Sequence, residues 1–189
     1  MQLTKDMAET ILAKHSNEPS LVKHAIAVSA AMGAMAEYFG EDKAHWEAIG
    51  YLHDVDYEQF PDEHLQHTRE KLEPEGLDEA DIRAILSHGW GICTDQKPET
   101  NLEKSLYTVD ELTGIVMAAA RMRPNGISDL SVSSLKKKYK DKKFAAKCDR
   151  AVIQSGCELL GLPLETVMEQ TIRGMQTKAN ELELLGLAQ

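Results

Sequence analysis

Residues 46–56, which read WEAIGYLHDVD, decide how this chain folds. Small, apolar or metal-binding side chains recur there every three or four residues, the spacing of one helix face: Trp46, Ile49, Gly50 and His53. The pattern predicts a helix over residues 42–53 whose inner face ends on a histidine. The pair His53-Asp54 then offers an imidazole and a carboxylate to one point in space, and borderline divalent metals accept both ligand types.

The rest of the chain shows the same helical periodicity, without strand alternation or a fixed repeat, so we predict an all-α fold. A second helix, ended by Gly40, carries the apolar stripe Leu21, Ala25, Val28, Met32, Met35 and Phe39. A long helix opens at Thr100 or Asn101 and must end before Pro124. Shorter helices are expected from Thr4 to about Lys14 and over residues 62–73, 78–88, 132–139, 142–160 and 163–184, with a loop over 89–99.

The length of 189 residues suits one domain. We predict a metal-binding helical domain over residues 1–130 and C-terminal helices over 131–189 that pack on the same domain. Three cysteines without C-x-x-C spacing indicate reduced thiols rather than a disulfide framework or a cysteine zinc site. No apolar run approaches the roughly 20 residues of a membrane helix, and the N-terminus lacks the plan of a secretory signal. We therefore expect a cytoplasmic protein without a membrane partner.

The net charge of −10 argues against a nucleic-acid polymer as a partner. The charge is uneven: residues 41–81 carry fourteen acids against three bases, and residues 131–147 carry seven lysines against one acid. Both blocks are typical of solvated helix surface, while the lysine-rich segment 136–147 could instead face an anion. His15 and His45 lie at polar positions and are expected on the surface.

Asp110 falls inside the apolar stripe of its helix, so its carboxylate should point at the interior. An ionised carboxylate buried without a partner costs several kcal/mol, so a salt bridge or a metal ion must compensate it. His24, on the stripe of the second helix, and the pair His53-Asp54 supply metal-ligand side chains from two further helix faces. Gly50 would let a neighbouring helix come close enough for these groups to converge.

The order His24, His53-Asp54, Asp110 resembles the H…HD…D signature of the HD-domain superfamily of metal-dependent phosphohydrolases, which are all-α. The flanking text is also similar, namely LVKH ending at His24, GYLHDVD around the pair, AILSH ending at His88 and LYTVDELTG around Asp110. The resemblance spans roughly residues 18–125. It implies that the four residues hold one divalent ion, with positions left for water and substrate, and that a phosphoester or phosphoanhydride is hydrolysed. Manganese, iron, cobalt, nickel, zinc and magnesium are all candidates for the ion.

Some members of the superfamily add histidines between the HD pair and the last aspartate, which gives a second metal. His64, His67 and His88 occupy that interval here. We expect a second metal or a phosphate contact at His64 and His88, whereas His67 is expected to face solvent. Asp56 and Glu58, just past the pair, are candidates for proton transfer, or else belong to an acidic loop.

An anionic substrate calls for cations, and these follow the last ligand. Arg121 lies eleven residues past Asp110, about three helical turns, and so on roughly the same face, with Arg123 near the end of that helix. An arginine can hold a phosphate through two parallel hydrogen bonds. We expect Arg121, Arg123 and Lys137 to bind the substrate, with a solubilising surface as the alternative for the lysines.

The sequence thus predicts a metal-dependent phosphohydrolase that acts on a small phosphorylated molecule, such as a nucleotide. Two alternatives stay open. The chain could be a di-iron HD-fold oxygenase that oxidises its substrate with dioxygen, or a non-catalytic helical sensor that binds a ligand at the same metal site. The sequence makes no prediction about oligomeric state.

Overall fold

A computed structural model describes residues 2–187 of the chain. The described residues form nine α-helices and no β-strand, which confirms the all-α class. The helices are α1 (Lys5–Ala13), α2 (Pro19–Phe39), α3 (Lys43–Leu52), α4 (Thr68–Leu72), α5 (Glu79–Ser87), α6 (Asn101–Arg121), α7 (Val132–Lys140), α8 (Arg150–Leu160) and α9 (Leu164–Gln176). Within residues 2–187, no helix has both the length and the hydropathy needed to cross a bilayer.

Helix α2 packs against α3 at the centre of the bundle. A Cβ atom added to Gly50 of α3 would lie 3.0 Å from the Cα atom of Ser29 and 3.1 Å from the carbonyl oxygen of Val28, both on α2. The close approach predicted from Gly50 is therefore confirmed. It matters for the site because α2 carries His24 and the end of α3 carries His53.

Helix α6 is the third wall of the bundle and packs on α2. It begins with a capping box, in which the Thr100 hydroxyl accepts from the Glu103 amide and the Glu103 carboxylate accepts from the Thr100 amide, each at 3.2 Å. It ends at Arg121, before Pro124, as predicted from the sequence. Asp110 therefore lies near the middle of a long, well-capped helix.

The C-terminal helices pack on these same elements, with α8 on α6 and α9 on α2. Both contacts use a glycine. A Cβ at Gly156 would lie 1.9 Å from the Thr108 hydroxyl oxygen, and a Cβ at Gly174 would lie 2.3 Å from the Ala30 carbonyl oxygen. This packing agrees with an extension that covers the same core, while the boundary between residues 130 and 131 stays a prediction.

The helix predicted over residues 142–160 is wrong over 142–149, which form turns. The reason is Arg150, whose guanidinium donates to five backbone carbonyls of the preceding segment, those of Tyr139, Asp141, Phe144, Ala145 and Cys148. The Asp149 carboxylate then caps α8 by accepting from the amides of Ala151 and Val152. A side chain thus satisfies carbonyls that would otherwise need a helix.

Helix α9 also ends earlier than predicted, at Gln176 instead of residue 184. The chain turns away after this point and buries Leu182 and Leu184. The carbonyl of Leu184 accepts a hydrogen bond of 2.9 Å from the amide of Ile127. Burial of two leucines against the segment that follows α6 therefore outweighs continuation of the helix.

The helix expected over residues 62–73 is interrupted, because the buried Asp56 carboxylate organises the backbone there. It accepts from the amide of His67 at 3.1 Å and from the hydroxyl of Thr68 at 3.2 Å. Between these contacts and the HD pair, Leu65 adopts a left-handed conformation with φ of 69°. Such a conformation in a residue other than glycine persists where the surroundings fix it, commonly beside functional side chains.

His15 and His45 are both half-buried, contrary to the surface positions expected for them. In His45, on the first turn of α3, the Nε2 atom lies 2.6 Å from the Oδ1 atom of Asp81 on α5. This pair joins the two helices that end at His53 and His88. The sequence around His45 does not indicate this contact, because the partner Asp81 lies 36 residues farther along the chain.

The His45–Asp81 pair predicts a pH dependence of stability. The hydrogen bond to Asp81 raises the pKa of His45 above its ordinary value of 6.5, although burial opposes the shift. A group with a raised pKa in the folded state stabilises the fold fully below its ordinary pKa and loses that contribution as the pH rises through the raised pKa. We expect the difference in melting temperature between the wild type and His45→Gln to be largest at pH 5.5 and to shrink as the pH rises above 7. A constant difference across this range would contradict the pair.

Candidate metal centre

The four predicted ligands come together although they lie on three different elements. His24 belongs to α2, His53 and Asp54 follow α3, and Asp110 belongs to α6. The Nε2 atom of His24 lies 2.9 Å from Asp110 Oδ1 and 3.1 Å from His53 Nε2, which is itself 3.2 Å from Asp110 Oδ1. Asp54 Oδ2 lies 3.2 Å from His53 Nε2 and 3.5 Å from His24 Nε2. We call these four residues the first ligand group.

A second ligand group faces the other oxygen of Asp54. Asp54 Oδ1 lies 3.2 Å from His64 Nε2 and 3.4 Å from His88 Nε2, and the two imidazole Nε2 atoms are 3.2 Å apart. Asp54 therefore presents one carboxylate oxygen to each group. This is the geometry of a carboxylate placed between two cation positions.

The imidazoles are held in the orientation that metal ligation requires. The Nδ1 atoms of three of them contact oxygen acceptors: His53 to the Gly50 carbonyl at 2.7 Å, His88 to the Ile85 carbonyl at 2.6 Å and His64 to Asp56 Oδ1 at 3.0 Å. A carbonyl oxygen only accepts, so the ring donates its proton from Nδ1 and keeps the Nε2 lone pair for the cluster. Metal-binding histidines are commonly fixed in this way. The donor set therefore fits a divalent ion.

The cluster has a strongly negative field. Burial alone would lower the pKa of His53, but the carboxylates of Asp54 and Asp110 raise it well above its usual value. Burial alone would also lower the pKa of His64, but hydrogen bonds to Asp54 and Asp56 raise it to about 9. Against burial, the His53 charge holds the pKa of Asp110 well below its usual range. A cation bound at this cluster would compete with protons for the same imidazole nitrogens and would compensate the carboxylate charge.

A cavity of about 440 Å³ opens above both groups. Its wall adds residues that the sequence does not single out: Tyr57, Ile92, Cys93, Tyr107, Glu111 and Val152. Glu111 follows Asp110 directly but lies off the apolar stripe, and burial raises the pKa of its carboxyl. Tyr57 and Ile92 lie in loops, where no periodicity marks an inward side chain. The sequence signal for Glu111 is that it directly follows Asp110, a predicted ligand.

Comparison with known proteins identifies this arrangement. Residues 21–114 match the family model described as HD domain. The chain is an HD-domain protein. The match begins three residues before His24 and ends four residues after Asp110, so it contains both ligand groups. Searches of curated proteins and of solved structures returned no match. The family is of the metal-dependent phosphohydrolase type, so the resemblance found in the sequence is confirmed.

The HD domain places its two predicted proton-transfer residues outside the cavity. Asp56 is fully buried behind His64 and contacts its Nδ1 atom. The Glu58 carboxylate turns to the start of α2, where it accepts from the Ser16 hydroxyl and the Asn17 amide, each at 2.7 Å. A proton-transfer role does not fit these positions. Asp56 instead positions a candidate ligand, and Glu58 fixes the turn between α1 and α2.

The predicted substrate-binding cations also lie away from the HD-domain cavity. Arg121, Arg123 and Lys137 do not line it, and within residues 2–187 neither does any other lysine or arginine. The Arg123 side chain donates to Asp129 at 3.1 Å. Substrate binding by these three residues does not fit this placement. His67, which was expected to face solvent, is half-buried; it lies outside both ligand groups and pairs with two surface glutamates.

Proposed function

We propose that this HD-domain protein is a metal-dependent phosphohydrolase that acts on a small phosphorylated molecule, such as a nucleotide. The observation that carries the proposal is the convergence of His24, His53, Asp54 and Asp110 beside a cavity of about 440 Å³, which all of them except the buried His53 line. A cavity of that size can take a small phosphorylated ligand. Imidazole and carboxylate ligands together suit manganese, iron, cobalt, nickel or zinc, and carboxylates also suit magnesium.

When bound, a divalent ion lowers the pKa of a water molecule and polarises a phosphoryl oxygen. The residues of the chain would bind the ion and orient its ligands. His24, His53, Asp54 and Asp110 would hold a first ion, and Asp54, His64 and His88 could hold a second. The carbonyls of Gly50 and Ile85 fix the orientations of the His53 and His88 imidazoles. Asp56 fixes that of His64.

One observation favours a second candidate function, that of a di-iron oxygenase. Asp54 faces both ligand groups, and two such groups could hold two irons as readily as two hydrolytic metals. Two metal ions about 3.5–4 Å apart also serve hydrolysis, so the geometry alone is compatible with either reaction. The identity of the metals and the consumption of dioxygen separate the two functions.

The test begins with elemental analysis of the purified protein and continues with a phosphate-release screen in the presence of the identified ion. The panel contains nucleotides and simple phosphomonoesters. We expect phosphate release that a chelator abolishes and added metal restores. Two irons together with dioxygen uptake and no phosphate release would favour the oxygenase. Neither reaction with any substrate would leave a non-catalytic sensor.

Asp56 provides a prediction about metal affinity. Asp56→Asn keeps an oxygen for the His64 Nδ1 proton but removes the negative charge and the acceptor for the His67 amide. Metal affinity at the second ligand group should therefore fall by about 10–100-fold. Activity at saturating metal should stay close to that of the wild type. Metal titration by calorimetry and by activity measures both effects.

The exposed Asp62, in the same acidic segment, gives the matched control. Asp62→Asn should leave the metal titration unchanged. If Asp56→Asn lowers kcat at saturating metal and alters its pH profile, then Asp56 takes part in proton transfer and the positioning role is wrong.

A further inference from the structure

A second groove of about 330 Å³ adjoins the metal cavity. The two spaces share three wall residues, Ile92, Tyr107 and Val152, which come from the loop after α5, from α6 and from α8. Trp90 extends the groove beyond this junction, and its ring centroid lies 5.8 Å from that of Tyr107. A molecule anchored over the ligand groups would therefore meet three apolar or aromatic side chains on the side of the cavity that faces the groove.

The charge of both spaces restricts what can occupy them. Apart from the ligand groups, the charged wall residues within residues 2–187 are Glu111 in the cavity and Asp149 in the groove. Both are acids, and no lysine or arginine in that range lines either space. An anionic group at the junction would meet like charge in a partly desolvated place. An uncharged apolar group would instead contact the apolar side chains of Ile92 and Val152 and the ring of Tyr107.

Ile92 is the most exposed of the three residues at the junction. Its side chain is 69% exposed, although the loop that carries it is well fixed. The Gly89 carbonyl accepts from the amides of Ile92, Cys93 and Thr94 at 2.9–3.1 Å. Because Ile92 lines both spaces beside Tyr107 and Val152, a ligand at the junction would cover an apolar side chain that otherwise faces solvent.

We propose that Ile92, Tyr107 and Val152 form the subsite for the organic part of the substrate, which is uncharged and apolar or aromatic where it joins the phosphate. The inference rests on the proposed phosphohydrolase function, since it takes the phosphate to lie over the ligand groups. An organic group that extends from the phosphate along this wall of the cavity contacts the junction. The substrate class is thereby narrowed to phosphomonoesters with an apolar or aromatic group.

Alkylphosphonates test this subsite without any hydrolysis. Calorimetry on the metal-loaded protein compares methyl-, propyl-, butyl- and hexylphosphonate, together with 3-carboxypropylphosphonate. We expect affinity to rise about fourfold per added methylene until the junction is filled, since each buried methylene contributes about 0.8 kcal/mol. The carboxylated compound should bind at least about tenfold more weakly than butylphosphonate because of like charge.

Ile92→Ser should flatten the chain-length series, and since Ile92 is exposed the variant should fold. Met122→Ser is the matched control, because Met122 is 64% exposed and lies outside both spaces. A series that is flat in the wild type, unchanged in Ile92→Ser, or without binding of any member overturns the subsite. Phosphate release together with a flat chain-length series would support the proposed function and contradict the subsite. A rising series without phosphate release would support the subsite and contradict the hydrolase.

Discussion

Replacing Asp54 with asparagine is expected to abolish metal binding at both ligand groups and, with it, phosphate release. Asp54 is the one residue whose two carboxylate oxygens face different groups, with Oδ2 toward His24 and His53 and Oδ1 toward His64 and His88. An amide keeps the shape of the side chain but presents one oxygen and no charge. Each group then loses the charged oxygen that Asp54 supplies to it, so both should bind a divalent ion much more weakly.

The expected loss is large. Residues that merely orient metal ligands typically contribute 10–100-fold to metal affinity, so loss of a shared ligand should exceed about 100-fold. Elemental analysis and phosphate release measure the two effects on one preparation, and Asp62→Asn is again the control. Circular dichroism should show a helical fold in both variants. Wild-type metal content in a folded Asp54→Asn protein would remove Asp54 from the ligand set.

A large effect on stability is expected at Gly174, where α9 meets α2. A Cβ atom there would lie 2.3 Å from the Ala30 carbonyl oxygen and 2.8 Å from its carbon, and a backbone group in a helix cannot turn aside. Gly174→Ala must therefore push the two helices apart. We expect the free energy of unfolding to fall by about 2–3 kcal/mol, within the usual range for overpacking.

Urea denaturation measures the change, and Glu169→Ala on the exposed face of the same helix is the control. This substitution should alter stability by less than about 0.5 kcal/mol. Metal content of folded Gly174→Ala should match the wild type, since α9 supplies no ligand. Equal stability of the two variants would mean that α9 does not dock on α2 as described.

Helices α2, α3 and α6 could be predicted because their buried faces repeat every three or four residues, and this signal is local. The turns at residues 142–149 and the break before Thr68 could not, because each depends on one side chain that binds distant backbone. Arg150 satisfies the carbonyls of the first segment, and Asp56 fixes the second. Such contacts leave no periodic trace in a sequence.

The first ligand group could be predicted for a related reason, because a carboxylate on an apolar helix face, such as Asp110, demands a partner. His64 and His88 were instead singled out by the resemblance to the HD-domain superfamily. The arginine prediction used the same periodicity but neglected distance along the helix. Arg121 shares a face with Asp110 yet lies roughly 16 Å farther along the axis at 1.5 Å per residue. Loop residues such as Tyr57 and Ile92 have no helical phase, so their place in the cavity wall becomes visible only in three dimensions.

Anomalous diffraction from crystals of the zinc-loaded protein tests the central claim most directly. The account predicts an anomalous peak about 2.0–2.2 Å from the Nε2 atoms of His24 and His53 and from carboxylate oxygens of Asp54 and Asp110. A second peak between His64 and His88, with Asp54 bridging the two, would show that both groups bind metal. No peak at the first group, or zinc held only by other residues, would contradict the account.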